Sequence, residues 1–235
     1  MKEFELGMEL SYAGSWSPAD AIRELLQNAR DAQVTDSEND YKVVYSPETR
    51  VLRIANRKSS LGFRTLLLGN TSKSDDSKTI GTHGEGYKVA TNVLLRNNLG
   101  VAIYNYLNKE KWTARVKRSR IYGTKVGCFT IQKNSAKSID NYSLVFEVSD
   151  VSPELWEEVR QNSLFLLSDE ELGETVKGET GTALLSPKFK GKLYVGGLYV
   201  CQRDQFQYGW DIAPSEIALD RDRALVDSFD LKMIV

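Results

Sequence analysis

Ile22-Arg23-Glu24-Leu25-Leu26-Gln27-Asn28-Ala29-Arg30-Asp31-Ala32 sorts into two stripes when it is wound as a helix. At about 3.6 residues per turn, Ile22, Leu25, Leu26 and Ala29 share one side, which suits a core. Glu24, Asn28 and Asp31 share the other side, within an arc of about 60°. A carboxylate, a carboxamide and a second carboxylate are thus stacked over two turns. A solvated polar face accounts for many such stripes. Asn, however, is a poor residue for a helix interior, so its place here needs a reason.

Working outward, Ser17-Pro18-Ala19-Asp20 reads as the helix start, with Ser17 as cap and Asp20 as the acid of a capping box. The helix should run to about Ala32, before Val34-Thr35-Asp36-Ser37. Residues 1–8 alternate loosely, as a strand would. Strands are expected at Tyr41–Tyr45 and Arg50–Asn56 around Ser46-Pro47-Glu48-Thr49, and a short helix at 61–68. The polar run 69–78 reads as a solvated loop. A second helix should follow at Tyr87–Asn97, with Val89, Ala90, Val93 and Leu94 on one face. Strands come next at 101–107, 111–118, 124–132 and 142–148. Helices are expected at Pro153–Gln161 and Asp169–Leu172, strands at 181–186 and 192–201, and helix-like character at 222–235. The economical organisation is one domain over 1–235. It has a motif-bearing part at 17–95, a strand-rich part at 98–205 and a C-terminal segment at 206–235. The fold class is α+β, with helices gathered on one face of a mixed, mostly antiparallel sheet.

Gly81-Thr82-His83-Gly84-Glu85-Gly86 lies immediately before the second helix. Backbone N–H groups at a helix start, with the positive end of the helix dipole, suit phosphate oxygens, and glycines let the chain approach closely. No GxxxxGK[ST] is present, so the segment is not a P-loop. There is no strand–GxGxxG–helix unit with an acid about 20 residues on, which disfavours a Rossmann site.

Two of these segments carry a family resemblance. Glu24-x-x-x-Asn28-x-x-Asp31-Ala32 resembles the N-box of the GHKL ATPases (gyrase, heat-shock chaperone, histidine kinase and MutL). Ile80-Gly81-Thr82-His83-Gly84-Glu85-Gly86-Tyr87-Lys88 looks like their G2 box, and Thr71-Ser72-Lys73 resembles the lid of MutL-type members. The resemblance implies a two-layer Bergerat fold with ATP and Mg2+ as cofactors. It implies Asn28 as the metal ligand, Glu24 as the general base that polarises water, and Asp31 in support of the metal's water shell or the adenine side. It also implies a lid over 69–86, with Gly81, His83, Gly84, Glu85, Gly86 and Tyr87 at the phosphates and Lys73 or Lys88 able to reach them. One motif departs from the family. Members carry Asp-x-Gly-x-Gly after the second strand, with the Asp accepting from the adenine amino group. Here the strand runs into Asn56-Arg57-Lys58-Ser59-Ser60. The carbonyl oxygen of Asn56 can accept the same bond, in neutral and weaker form, and Gly62 is the nearest glycine. The chain lacks an evident segment to supply a Lys in trans, so hydrolysis should be slow or partner-dependent. A protein partner or homodimer on ATP binding is the expected assembly.

A sensor histidine kinase of the same fold would need a phosphoacceptor His on a separate helix, and the single histidine is His83, inside the glycine segment. A protein-serine kinase acting in trans remains open, although the Glu four residues before Asn28 favours water activation. A non-catalytic interaction module would suit the missing Asp. Its surface could be the basic strip Lys109, Lys111, Arg115, Lys117, Arg118 and Arg120, with Trp112, Ala114 and Val116 alternating inward. Nucleic acid is the weaker expectation, because the 31 basic and 32 acidic residues leave a net charge of -1. No apolar run reaches the roughly 18 residues of a membrane span. An intracellular, cytoplasmic protein is expected, with Cys128 and Cys201 as buried free thiols. Tyr208-Gly209-Trp210-Asp211 and Leu219-Asp220-Arg221-Asp222-Arg223 stand out without an assigned chemistry. Surface ion pairing is the expected reading of that pair of segments.

Overall fold

Ser17 is the N-cap of helix α1 (Pro18–Thr35). Its Oγ accepts from the Asp20 N–H at 3.2 Å, and Asp20 Oδ2 accepts from the Ser17 N–H at 2.9 Å. This reciprocal box satisfies two N–H groups that the helix start leaves without partners. The computed structural model describes residues 2–66, 86–138 and 140–217. Their packing separates into two compact units, Met1–Glu157 and Glu158–Val235.

The first unit holds a seven-stranded sheet built from β1 (Lys2–Glu9), β2 (Tyr41–Ser46), β3 (Val51–Asn56), β4 (Gly100–Asn105), β5 (Glu110–Arg118), β6 (Lys125–Lys133) and β7 (Leu144–Ser149). The order is β1-β6-β5-β4-β7-β3-β2, and every neighbouring pair is antiparallel. Register aligns Ile54, Phe146, Ile103, Trp112 and Ile131 in one row across five strands. Period-two alternation puts such residues on one face, and helices cover that face. Helix α1 lies against β3, helix α2 (Gly86–Arg96) against β4, β5 and β6, and the helices touch each other. Ile22, Leu25, Leu26 and Ala29 of α1 and Val89, Ala90, Val93 and Leu94 of α2 are buried. Each large aliphatic residue among them contributes roughly 1.5–3 kcal/mol by leaving water. The α+β class with helices on one sheet face therefore holds.

Arg96, at the end of α2, grips the turn that leads into α1. Its Nη1 donates to the carbonyls of Leu10 and Tyr12 at 3.4 and 3.0 Å. Its Nη2 donates to those of Ala13 and Trp16 at 2.8 and 2.9 Å. Helix α3 (Pro153–Gln161) begins in this unit, where Trp156 stacks on Tyr45 with ring centroids 5.2 Å apart.

The second unit holds the short helix α4 (Asp169–Leu172) and five strands: β8 (Thr175–Lys177), β9 (Gly181–Leu184), β10 (Lys192–Val195), β11 (Leu198–Gln202) and β12 (Gly209–Ile212). Their order is β11-β10-β12-β9-β8, with β10 and β12 parallel. Three expectations need correction. The single strand expected at 192–201 is a hairpin, because Gly196 and Gly197 turn the chain at φ 57° and 79°, which side-chain-bearing residues rarely adopt. Within Tyr208–Asp211, three residues form a strand rather than a loop. Gly209 starts strand β12, and Asp211 Oδ1 accepts from the Gly197 N–H at 2.7 Å. Gly209 also packs where a Cβ would come within 2.6 Å of Phe189 Cβ. Finally, both cysteines are free, but only Cys128 is buried; Cys201 is half-buried on β11. Residues 218–235, with Asp220 and Arg223, lie outside the described residues. Among the described residues, no helix is long and apolar enough to cross a membrane.

Candidate functional site

The polar stripe of α1 is largely withdrawn from water. Glu24 is 7% exposed and Asp31 3%, with Asn28 half-buried between them. Burying a carboxylate is costly unless it is partnered, so this stripe is not the solvated face that amphipathic helices usually present. Asn28 Nδ2 donates to the Glu24 backbone oxygen at 2.8 Å and to Glu24 Oε1 at 3.2 Å. The amide nitrogen is therefore spent on Glu24, and Oδ1 is the Asn28 atom left to meet a cation.

Glu24 also defines where α2 begins. A Cβ built on Gly86 would lie 1.8 Å from Glu24 Oε1 and 2.5 Å from its Cδ. The carboxylate thus occupies the space beside the first residue of α2, and only glycine leaves that space open. The first N–H groups of α2 have no partner within the helix, so a carboxylate beside them gains from the helix dipole. Glu24, Asn28 and the first residue of α2 are brought together.

Tyr87 and Lys88 both turn their side chains into the interior. Tyr87 is buried toward the sheet, edge-on to Phe146 with centroids 6.1 Å apart, and its hydroxyl meets Thr65 Oγ1 at 2.9 Å. Burial pushes its phenol up to about 12. Tyr87 would therefore face a phosphate with its backbone N–H. Lys88 is fully buried, its Nζ 6.0 Å from the centre of the Tyr87 ring. Lys73, Gly81, His83, Gly84 and Glu85 lie outside the described residues.

Asn56, at the end of β3, is 6% exposed. Its Nδ2 donates to the Ala29 carbonyl of α1 at 2.9 Å, so its Oδ1 is the amide atom available as an acceptor. The segment beyond it has no glycine turn and is held by polar side chains instead. Asn39 takes the Lys58 N–H on Oδ1 at 2.7 Å and donates Nδ2 to Ser59 Oγ at 2.8 Å. Ser143 Oγ donates to the Ser59 carbonyl at 2.6 Å. Asn105 and Asn108 both donate to the Leu61 carbonyl, at 2.6 and 3.0 Å. Sequence reasoning missed these anchors. The one available signal was the set of amide residues at strand ends and turns, where such side chains bond the backbone.

The basic strip on β5 is partly neutralised. Arg115 and Lys117 both pair with Glu3, and Lys117 also pairs with Glu5 at 3.3 Å. Those cations hold the Glu3 carboxyl below the usual carboxylate range. Trp112 and Ala114 face inward as expected, but Val116 is 39% exposed. Its cross-strand partner is Gly127, which offers no side chain to pack over it.

No cluster of three or more His, Cys, Asp or Glu side chains able to hold a metal occurs among the described residues. A cation at Asn28 would therefore take most of its oxygens from ligand and water. That coordination suits Mg2+, which keeps several waters and binds through few protein oxygens. That donor set fits Mg2+ bound to a phosphate.

No family model matches the sequence, and no curated protein is similar to it by sequence. Among solved structures, the fold resembles the ATPase region of Saccharomyces cerevisiae topoisomerase II bound to dexrazoxane. The TM-score is 0.46 and the identity 10%, over 83% of this chain and 72% of that one. A likeness of that degree assigns neither ligand nor chemistry to this chain.

Proposed function

We propose that the chain binds Mg-ATP and hydrolyses it slowly as a single Bergerat-type domain of the GHKL class, with residues 69–86 closing as a lid. The observation that carries this reading is the meeting of Glu24, Asn28 and Gly86. A buried carboxylate touches the start of α2 and is held by an amide whose oxygen remains available. Mg2+, when bound, would supply charge compensation along the phosphates, with Asn28 Oδ1 as its protein ligand. The α2 N–H groups would donate to phosphate oxygens. Glu24 Oε1 would accept a proton from the attacking water, while the Asn28 amide keeps that carboxylate oriented. Asp31 would support the water shell. Asn56 Oδ1 would accept from the amino group of the base. Lys88, buried in the first turn of α2, would add positive charge beside the phosphates. A homodimer or a protein partner is the proposed assembly, and the cytoplasm the proposed compartment.

Calorimetry with Mg-ATP, paired with a phosphate-release assay, tests the proposal. Wild type is expected to bind and turn over. Glu24→Ala should keep binding and lose on the order of 10²–10⁴ in rate, the usual contribution of a general base. Absence of Mg-ATP binding by wild type would defeat the reading. Equal turnover in Glu24→Ala would defeat the base assignment alone. Asn56 in place of the family's Asp favours a second reading, a non-catalytic module of the same fold. The pairing of Glu3 with Arg115 and Lys117 weakens nucleic acid as that module's partner.

A further inference from the structure

We infer that Asn56 is a positioning residue that ties β3 to α1 beside the metal-binding amide, and that the contact requires a donor, which a carboxylate cannot supply. The inference rests on the proposed reading of the site. Asn56 Nδ2 reaches the Ala29 carbonyl at 2.9 Å. Ala29 directly follows Asn28 and lies one turn and a fraction after Glu24. Inside a helix that carbonyl already accepts the N–H four residues on, so Asn56 occupies its second lone pair. An aspartate at 56 would set two acceptors at hydrogen-bond distance with no proton between them.

The strand cannot shift to relieve that clash. Asn56 is paired on both sides, with Tyr41 on β2 and Leu144 on β7, and its own carbonyl accepts from the Ser143 N–H at 2.9 Å. Strain would therefore pass to α1 at Ala29 and displace Asn28 and Glu24. Restoring the family's aspartate should loosen the site, although it returns the usual base-binding residue.

The test uses the full chain, with Asn56→Asp compared with wild type and Asn56→Ala. Thermal melting is followed from pH 8 to pH 5. At pH 8 the Asp variant should melt below the Ala variant. A buried carboxyl beside a carbonyl has its pKa raised above the unfolded value. The folded state therefore takes up a proton as pH falls, the acid can donate to Ala29, and the deficit against Asn56→Ala should shrink toward pH 5.

The second measurement is affinity for Mg-tripolyphosphate, which has no base. A residue acting through α1 should weaken it along with Mg-ATP, by about tenfold for the loss of one buried hydrogen bond. The inference is overturned if Asn56→Asp melts like wild type at pH 8, or binds Mg-ATP more tightly than wild type. It is also overturned if Mg-ATP binding is lost while Mg-tripolyphosphate binding is unchanged. If wild type takes neither ligand, the ATP reading fails, and the melting series alone decides whether Asn56 is a strut.

Discussion

The two ends of the candidate site are built by different means. The proposed phosphate end rests on two helices, with an apolar stripe against the sheet, a buried carboxylate, and a glycine where that carboxylate needs room. The proposed base end rests on the last residue of β3 and a segment without glycines, pinned by Asn39, Ser143, Asn105 and Asn108. At the first end, helix periodicity dictates which residues meet. At the second, individual side chains capture backbone groups far away in sequence. Periodic order leaves a mark in a sequence, whereas pairwise capture leaves almost none.

Gly86→Ala should produce the largest effect and would break the comparison most directly. The new methyl displaces the Glu24 side chain from Cγ outward, a flexible arm that can swing aside without moving the backbone. Melting temperature should hardly move while ATP turnover falls by on the order of 10³. Unchanged turnover would show that the cradle at α2 does not serve the base.

Arg96→Ala removes four bonds to backbone carbonyls and should lower unfolding free energy by about 2–4 kcal/mol in denaturant titration. A loss below about 0.5 kcal/mol would mean that the helix pair is held by its apolar contacts alone.

Asn39→Ala probes the other end. It should cost about 1–2 kcal/mol and speed hydrogen exchange at the Lys58 amide, leaving Mg-tripolyphosphate affinity untouched. If that affinity fell, the two ends would not be separable.

Tyr87→Phe should have the smallest effect. Mg-ATP affinity should hold, and stability should fall by about 1 kcal/mol or less. In alkaline titration the group near 12 should disappear. The folded phenol holds its proton past the unfolded value of 10.0, so wild-type stability should decline as pH rises from 10 toward 12.

The same contrast explains what could be read in advance. Ser17-Pro18-Asp20 marked the start of α1, and the apolar spacing of α1 and α2 marked their buried faces. Strands of six to nine residues in the first sheet appeared close to their expected bounds. Of the four strands of three or four residues, β9 and β10 fell within expected runs while β8 and β12 were missed, because so short a run carries barely one repeat of a two-residue period. The hairpin at Gly196-Gly197 had a visible marker, outweighed by apolar residues on both sides. The link from Asn56 to Ala29 spans 27 positions and has no local signature.

Arg96 has one further consequence, for how such a chain drifts over generations. Its four acceptors are main-chain oxygens, and they lie in a turn whose side chains are mostly exposed. Nearly every residue from Leu10 to Trp16 could be exchanged without disturbing the grip, since a carbonyl is the same in all of them. The arginine has no equivalent substitute, because lysine lacks the planar fork that reaches several acceptors at once. Relatives that share nothing recognisable ahead of the first helix would still keep an arginine at the end of the second.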